Sequence, residues 1–390
     1  LTRGVAVWFH GSGSTEEVKP GVATIAEVAR EARVGVATVS RVLNGSPAVR
    51  DQTRRRVLDA IARLGYAPNA AARALSTGRT QAVGVLAPFF TRPSVMERLR
   101  GICGVLADGG YQLVLFDVER PADRDGYTAA LPGGGLLDGL LSISLCPSEA
   151  ELERFADACV PVVLVDHAHE RVPAVYTDDV AGGRLATEHL LALGHRRIAF
   201  VGDSEANGYG FTSSAMRRAG YEAALTAAGV ELDPALVRRA AHGREAAVEL
   251  TRELLEAAEP PTALFAASDT QAVGALEAAD ALGAAVPGDL SVVGYDDIEL
   301  ARYAGLTTVA QPLEESGRRG AELLLAALGG TPAKGRQLPV ELVVRATTGP
   351  PERRGRSPRK HEGRGRERQR QTRLEGTRVR SQPIDTRGSS

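Results

Sequence analysis

The chain has 390 residues, 43% of them hydrophobic, which is enough for two or three domains with buried cores. No run of about 18 apolar residues occurs, so no transmembrane helix is predicted. The apolar stretch 5–9 is too short for a secretory leader. The three cysteines (Cys103, Cys146, Cys159) lack metal-ligand spacing and suit a reducing compartment, so a cytoplasmic protein is expected. The net charge of −1 conceals a strong asymmetry. Residues 22–80 hold ten arginines against four acids, a net of +6, and residues 351–390 carry +8, which leaves −15 on 81–350. A basic head on an acidic body suits a nucleic-acid binder with a second, separate function.

Residues 1–21 show no sustained periodicity and read as a flexible extension. The run Thr24-Ile25-Ala26-Glu27 fits a capping box that opens a first helix, with Ile25, Val28 and Ala29 on its inner face. A turn at Arg33–Gly35 leads to a second helix, Val36–Leu43, with Val39, Val42 and Leu43 inward and Val36, Ala37, Thr38, Ser40 and Arg41 outward or at the rim. A third helix, Asp51–Leu64, buries Val57, Ala60, Ile61 and Leu64 and stops at Gly65. Three short helices with such a turn make a helix-turn-helix unit at 22–67, whose second helix enters the major groove.

The run 24–29 followed by Val36-Ala37-Thr38-Val39-Ser40-Arg41-Val42-Leu43-Asn44 resembles the headpiece of the LacI/GalR repressor family. Leu64–Leu75 resembles that family's hinge helix, placed here at 68–80. Arg33 and Gly35 depart from the family's usual turn glycine and capping serine, so Arg33 is expected at positive φ. The resemblance implies a DNA-contacting set of Thr24, Val36, Ala37, Thr38, Ser40, Arg41, Asn44, Asn69 and Leu75. In this set Val36, Ala37 and Arg41 fall at base-reading positions, and Thr38 and Ser40 suit phosphate. An arginine can bond a guanine bidentately, and valine and alanine can touch a thymine methyl. Leu75 matches the leucine wedged into the minor groove by paired hinge helices. The alternatives are inward packing for Val36 and a plain linker role for Leu75.

From residue 81 onward, strand-like runs (82–87, 112–117, 139–144, 162–166, 197–202, 263–267, 290–295) alternate with helical stretches, among them 96–108, 180–193, 217–228, 246–257 and 270–282. Such alternation predicts parallel sheets covered on both faces. The resemblance continues to about Gly349 through Asp138–Leu141, Leu193–Gly202, Val286–Asp297 and Leu306–Pro312. It implies a periplasmic-binding-protein-like body at 81–349, with two doubly wound parallel-sheet lobes around a cleft. Strands should cross between the lobes near 178, 308 and 337. Matching positions nominate Asp296, Arg217 and Ser268 as ligand contacts. Phe89, Phe90, Ser142, Asp166, Tyr209 and Phe211 lie on loops or strand ends that could line the cleft, with lobe packing as the alternative for the two phenylalanines. Residues 350–390 are Arg/Gly/Gln/Ser-rich and read as a disordered basic tail.

No P-loop, Gly-x-Ser-x-Gly elbow or zinc-spaced cysteine pair is present, and His167-Ala168-His169 reads as a loop. The expectation is a transcription regulator, a repressor without cofactor. It would bind a double-stranded DNA operator as a homodimer and answer to a small effector, a sugar. The rivals are a solute-binding protein for sugar uptake, which would lack the headpiece, and a sugar-acting enzyme, for which no acid/base constellation is visible.

Overall fold

The computed structural model describes residues 23–43, 45–66, 79–204, 208–332 and 334–351. Asn44, Asn69, Leu75, the extension, the basic tail past Pro351 and all but the last two residues of the expected hinge lie outside that set.

The first unit is three helices: α1 (Ile25–Glu31), α2 (Val36–Leu43) and α3 (Asp51–Leu64). Thr24 and Glu27 form the expected capping box, the threonine hydroxyl accepting from the Glu27 amide and the glutamate accepting from the Thr24 amide. Arg33 sits at φ +51 and Gly65 caps α3 in the left-handed region. Val28, Val39, Val57 and Ala60 are fully buried at the centre of a small core that also holds Ala29, Val42 and Val49.

The body is two six-stranded sheets. The first lobe contains β1 (Ala82–Pro88), α4 (Pro93–Asp108), β2 (Gln112–Val118), α5 (Pro121–Ala130), β3 (Gly139–Ile143), α6 (Glu149–Asp157), β4 (Val162–Val165) and β5 (Ala174–Thr177). The second holds α7 (Asp179–Ala192), β6 (Ile198–Asp203), α8 (Ser213–Ala227), β7 (Val237–Ala240), α9 (Arg244–Glu256), β8 (Ala263–Ala266), α10 (Asp269–Ala281), β9 (Ser291–Asp296), α11 (Glu299–Tyr303) and β10 (Thr307–Ala310). The chain then returns through α12 (Leu313–Leu328) to β11 (Arg336–Leu338) in the first sheet and β12 (Glu341–Val343) in the second. The sheet orders are β11-β5-β4-β3-β1-β2 and β12-β10-β9-β8-β6-β7. All pairings are parallel except β10 with β12.

Period-2 alternation gives each sheet two apolar faces. On β1, Val83, Val85 and Ala87 pack with α4 and α12, while Ala82 and Leu86 join the core under α5 and α6. In the second lobe Ala186, Leu190, Tyr221 and Leu225 cover one face from α7 and α8, and Ala247, Leu254, Ala272 and Ala275 cover the other from α9 and α10. The helices α7 and α12 each follow a strand of one lobe and pack on the other. Each needs a glycine to do so. A Cβ on Gly183 would lie 2.0 Å from the Arg217 carbonyl oxygen, and one on Gly317 would lie 2.0 Å from that of Arg98.

At the end of the second lobe remote from the cleft, the buried His195 ring ties three strand starts to the C-terminal segment. Its Nδ1 lies 2.9 Å from Thr262 Oγ1, and its Nε2 lies 3.1 Å from Ser291 Oγ and 2.9 Å from the Gly349 carbonyl. Burial pushes its pKa below the usual histidine value, with the Gly349 bond opposing. The unfolded chain therefore binds this proton first. Stability from His195 is present above about pH 6.5 and falls as pH drops from there through the folded-state value. Urea midpoints at pH 7.5 and 5.5 should show a smaller acid-side loss in His195→Asn than in the parent, from a lower starting point. Equal slopes in the two proteins would contradict this.

Candidate functional site

The headpiece presents a surface whose residue types match duplex recognition. In α2, Val39 and Val42 point into the core, which turns Val36 (46% exposed), Ala37 and Arg41 outward, with Thr38 and Ser40 at the rim. Inward packing of Val36 is thereby ruled out. Gly35 starts the helix with its carbonyl, which accepts from the amides of Thr38 and Val39. Thr24 is occupied by its capping box, so its side chain also holds α1 in place. Arg54 is bound structurally, its Nη2 donating to the Ser46 carbonyl at 2.6 Å, and it steadies the turn before α3.

The second site is the cleft between the lobes, where the C-terminal ends of parallel strands converge. The cavity free at its centre is small, about 70 Å³, less than a typical small-molecule site, so the lobes stand close together around it. Two arginine–aspartate pairs face each other across it. In the first lobe, Arg98 of α4 donates to Asp166, just past β4, at 2.5 Å, and Ser144 Oγ donates to the same carboxylate at 2.7 Å. In the second, Arg217 of α8 donates to Asp179 at 2.8 Å and to the Ala267 carbonyl at 2.6 Å, and lies 3.7 Å from Asp296 at the end of β9. The Arg217 guanidinium also stacks 3.7 Å above the Tyr295 ring.

Gln311 joins the two halves. Its Oε1 accepts from Arg98 at 3.4 Å and from Thr177 at 3.2 Å, and its Nε2 donates to Asp296 at 2.5 Å. On the second lobe's rim His242 Nδ1 lies 3.1 Å from Asp203, which accepts from Gln271 at 2.9 Å.

Burial raises the carboxyl pKa of both Asp179 and Asp296, against the pull of Arg217. For Arg217, burial works against the charge, but Asp179 and Asp296 outweigh it and hold the guanidinium protonated. Ser144 (φ +55), Asp166 (φ +71) and Asp296 (φ +119) are all non-glycine residues at positive φ. Such strained positions cluster where a site must aim side chains that regular strands cannot.

Asp166, Arg217, Ser268 and Asp296 are thus brought together at the cavity wall, and Phe211 joins them. Four expected lining residues, Phe89, Phe90, Ser142 and Tyr209, are not there. Ser142 is fully buried in β3 with its hydroxyl donated to the Leu145 carbonyl at 2.6 Å; Ser144, two residues on, lines the cleft instead. Phe90 is 38% exposed, with its amide bonded to Asp117, and it does not line the cavity. Phe89 and Tyr209 pack on each other beside the cavity rather than lining it. Ser268 caps α10 through Gln271 as well as facing the cavity.

Sequence reasoning missed Arg92, Arg98, Asp203, His242 and Gln311. Only Asp203, the last residue of β6, carried a usable signal, its place at a strand end. His169 is held in its loop by the amides of Arg171 and Val172, and no metal-binding cluster occurs among the described residues. No helix among them is long and apolar enough to cross a membrane.

The family model for bacterial regulatory proteins of the lacI family matches residues 24–69, and that for a periplasmic binding protein-like domain matches 187–348. The HTH-type transcriptional regulator CelR of Thermobifida fusca is 37% identical over 335 residues, 82% of this chain and 95% of that protein. Catabolite control protein A of Priestia megaterium is 34% identical over 305 residues, 77% and 91% of the two chains. The lac repressor dimer bound to operator and the anti-inducer ONPF is similar in structure with a TM-score of 0.73 at 28% identity, covering 84% of this chain and 99% of that one. The CelR–cellobiose complex gives 0.62 at 35%, covering 83% and 99%.

Proposed function

Because this chain belongs to the lacI family of bacterial regulatory proteins, we propose that it represses transcription as a homodimer on a near-palindromic operator, under the control of a neutral, hydroxyl-rich effector in the cleft. The carrying observation is the outward face of α2, where Val36, Ala37 and Arg41 stand exposed over a core closed by Val39 and Val42. Two-fold pairing of such headpieces presents two recognition helices to two half-sites, which is why the operator should be near-palindromic. The similar lac repressor structure is a dimer on its operator. Such a regulator works where the DNA is, in the cytoplasm.

The effector class follows from the cleft's charges. Arg92, Arg98 and Arg217 stand against Asp166, Asp179, Asp203 and Asp296, and burial pushes Asp179 and Asp296 toward their neutral acids, so the site carries no large excess of either charge and is rich in paired donors and acceptors. A ligand with net charge would leave one of these groups unmatched, at high cost in a buried site. A sugar would not, and Phe211 offers an apolar face to its ring. Relatives of known structure hold cellobiose in one case and ribose in another. The groups around the cavity are spent on one another and on positioning, which assigns no turnover to the cleft.

Selection of bound duplexes from a random pool by the full chain tests the DNA half. Near-palindromic sites are expected. Arg41→Ala should lose preference at one base position per half-site, a cost of about 1–3 kcal/mol. Uniform weakening on all sequences would show that Arg41 contacts only the backbone.

A further inference from the structure

The lobes also meet at the mouth of the cleft, through an aromatic cluster. Residues 208–212 follow β6 in the second lobe, and Gly208 (φ +72) and Gly210 (φ +76) shape their turn. Tyr209 and Phe211 stack nearly parallel, 5.1 Å apart. Both pack against the apolar core of the opposite lobe.

Three contacts hold them there. The Tyr209 hydroxyl donates to the Glu119 carbonyl at the end of the first lobe's β2. Its ring meets Phe89 edge-on at 5.3 Å. The Arg92 guanidinium lies 4.0 Å from the centre of the Phe89 ring and 6.0 Å from that of Phe211, so one cation is shared by an aromatic ring of each lobe. The fit is close enough that a Cβ on Gly208 would come within 2.9 Å of Pro121. Phe89 holds its place at φ +46, a conformation that a bulky side chain adopts only when its surroundings impose it.

We infer that residues 208–212 are a latch that fastens the two lobes across the cleft mouth, so that effector entry requires its release. Tyr209 is the fastener and lies outside the cavity wall. Arg92 and Phe211 belong to both latch and wall, so an effector reaching them would compete with the contacts that keep the mouth shut. The consequence for regulation rests on the effector reading above, but the latch itself is measurable without any effector. A latch that must open before any effector enters sets a fixed opening cost, which lowers the apparent affinity of every effector by the same factor.

Hydrogen–deuterium exchange on the full chain tests the closed state. In Tyr209→Ala, exchange in peptides spanning 88–92 of the first lobe should rise about tenfold together with that of 208–212, while the strands β1 and β6 stay unchanged. Tyr209→Phe, which keeps the ring and loses the hydroxyl, should fall between. No change at 88–92 in Tyr209→Ala would overturn the latch, since local loosening of 208–212 alone cannot reach the other lobe.

The entry step is read with a thiol in the wall. Ser144→Cys, alone and combined with Tyr209→Ala, is alkylated with iodoacetamide and followed peptide by peptide, with exposed Cys103 as the internal standard. About tenfold faster labelling of position 144 in the double variant is expected. Equal rates would show that the latch does not control access. Failure of all sugars to bind would refute the effector reading and leave both latch measurements standing.

Discussion

Arg217→Ala should lower the stability of the body by about 3–5 kcal/mol, because it strands two buried carboxylates. Arg217 is 6% exposed, as is Asp179, and Asp296 is 8% exposed. The guanidinium bonds Asp179 and the Ala267 carbonyl, lies against Asp296 and covers the Tyr295 ring. Its loss therefore removes a cation, two hydrogen bonds and a stacked surface together. A reading of Arg217 as a ligand contact alone, with folding unaffected by its loss, does not survive this geometry.

Asp296→Asn behaves differently. Burial raises the folded-state pKa of Asp296, so its charged form is disfavoured in the native protein. The stability linked to this group is fully present below the unfolded value, near 4, and declines as pH rises through the folded one. The asparagine carries no such penalty and can still accept from Gln311, so stability at pH 7 should hold or rise. Effector binding should be lost. Urea unfolding and calorimetry over a panel of sugars, run on both variants, separate the two roles. An Arg217→Ala protein as stable as the parent would refute the buried-charge account.

Gly317→Ala and Gly183→Ala should each cost about 3 kcal/mol, the upper part of the usual overpacking range, since the added methyl meets a backbone carbonyl that cannot rotate away. The carbonyls are those of Arg98 and Arg217, so the clash also displaces the two arginines of the cleft. Gly104→Ala on α4 is the control. A Cβ there has nothing within 4 Å, and the variant should gain about 0.5–1 kcal/mol from helix propensity alone. Denaturant midpoints that fail to separate the two glycine classes would contradict the crossing geometry.

The headpiece was legible from local signals, except that Leu64, expected in its core, lies exposed in the last turn of α3. Thr24 with Glu27, the positive φ at Arg33, the alternating depth of Val36, Val39 and Val42, and the stop at Gly65 all lie within one turn of what they specify. The central strands of each lobe were equally plain as apolar runs. The short strand β7 and the helices α5, α6, α11 and α12 fall outside the expected elements, and of β5 and β10–β12 only the crossings near 178, 308 and 337 are anticipated. β7 reads Val-Arg-Arg-Ala at an exposed sheet edge and lacks an apolar signal.

Ser142 was misassigned for a related reason. Residues 142 and 144 are both serines on the same run, and only the turn at φ +55 decides which one reaches the cleft. Arg98, His242 and Gln311 converge from a helix, a loop and a lobe crossing. No sequence spacing encodes such a meeting.

The crossing of chain between lobes has a consequence for synthesis. The face of the first sheet formed by Val83, Val85, Leu141, Val163 and Val165 is covered partly by Ala321 and Leu324 of α12, and the sheet's edge is completed by β11. A ribosome adding about 5–20 residues per second makes the strands of this lobe and then, for on the order of ten seconds, makes the other lobe before α12 emerges. Throughout that interval the nascent chain carries a sheet with one half-bare apolar face and an unpaired β5 edge. Such a surface is a binding site for holdase chaperones and a hazard between neighbouring nascent chains.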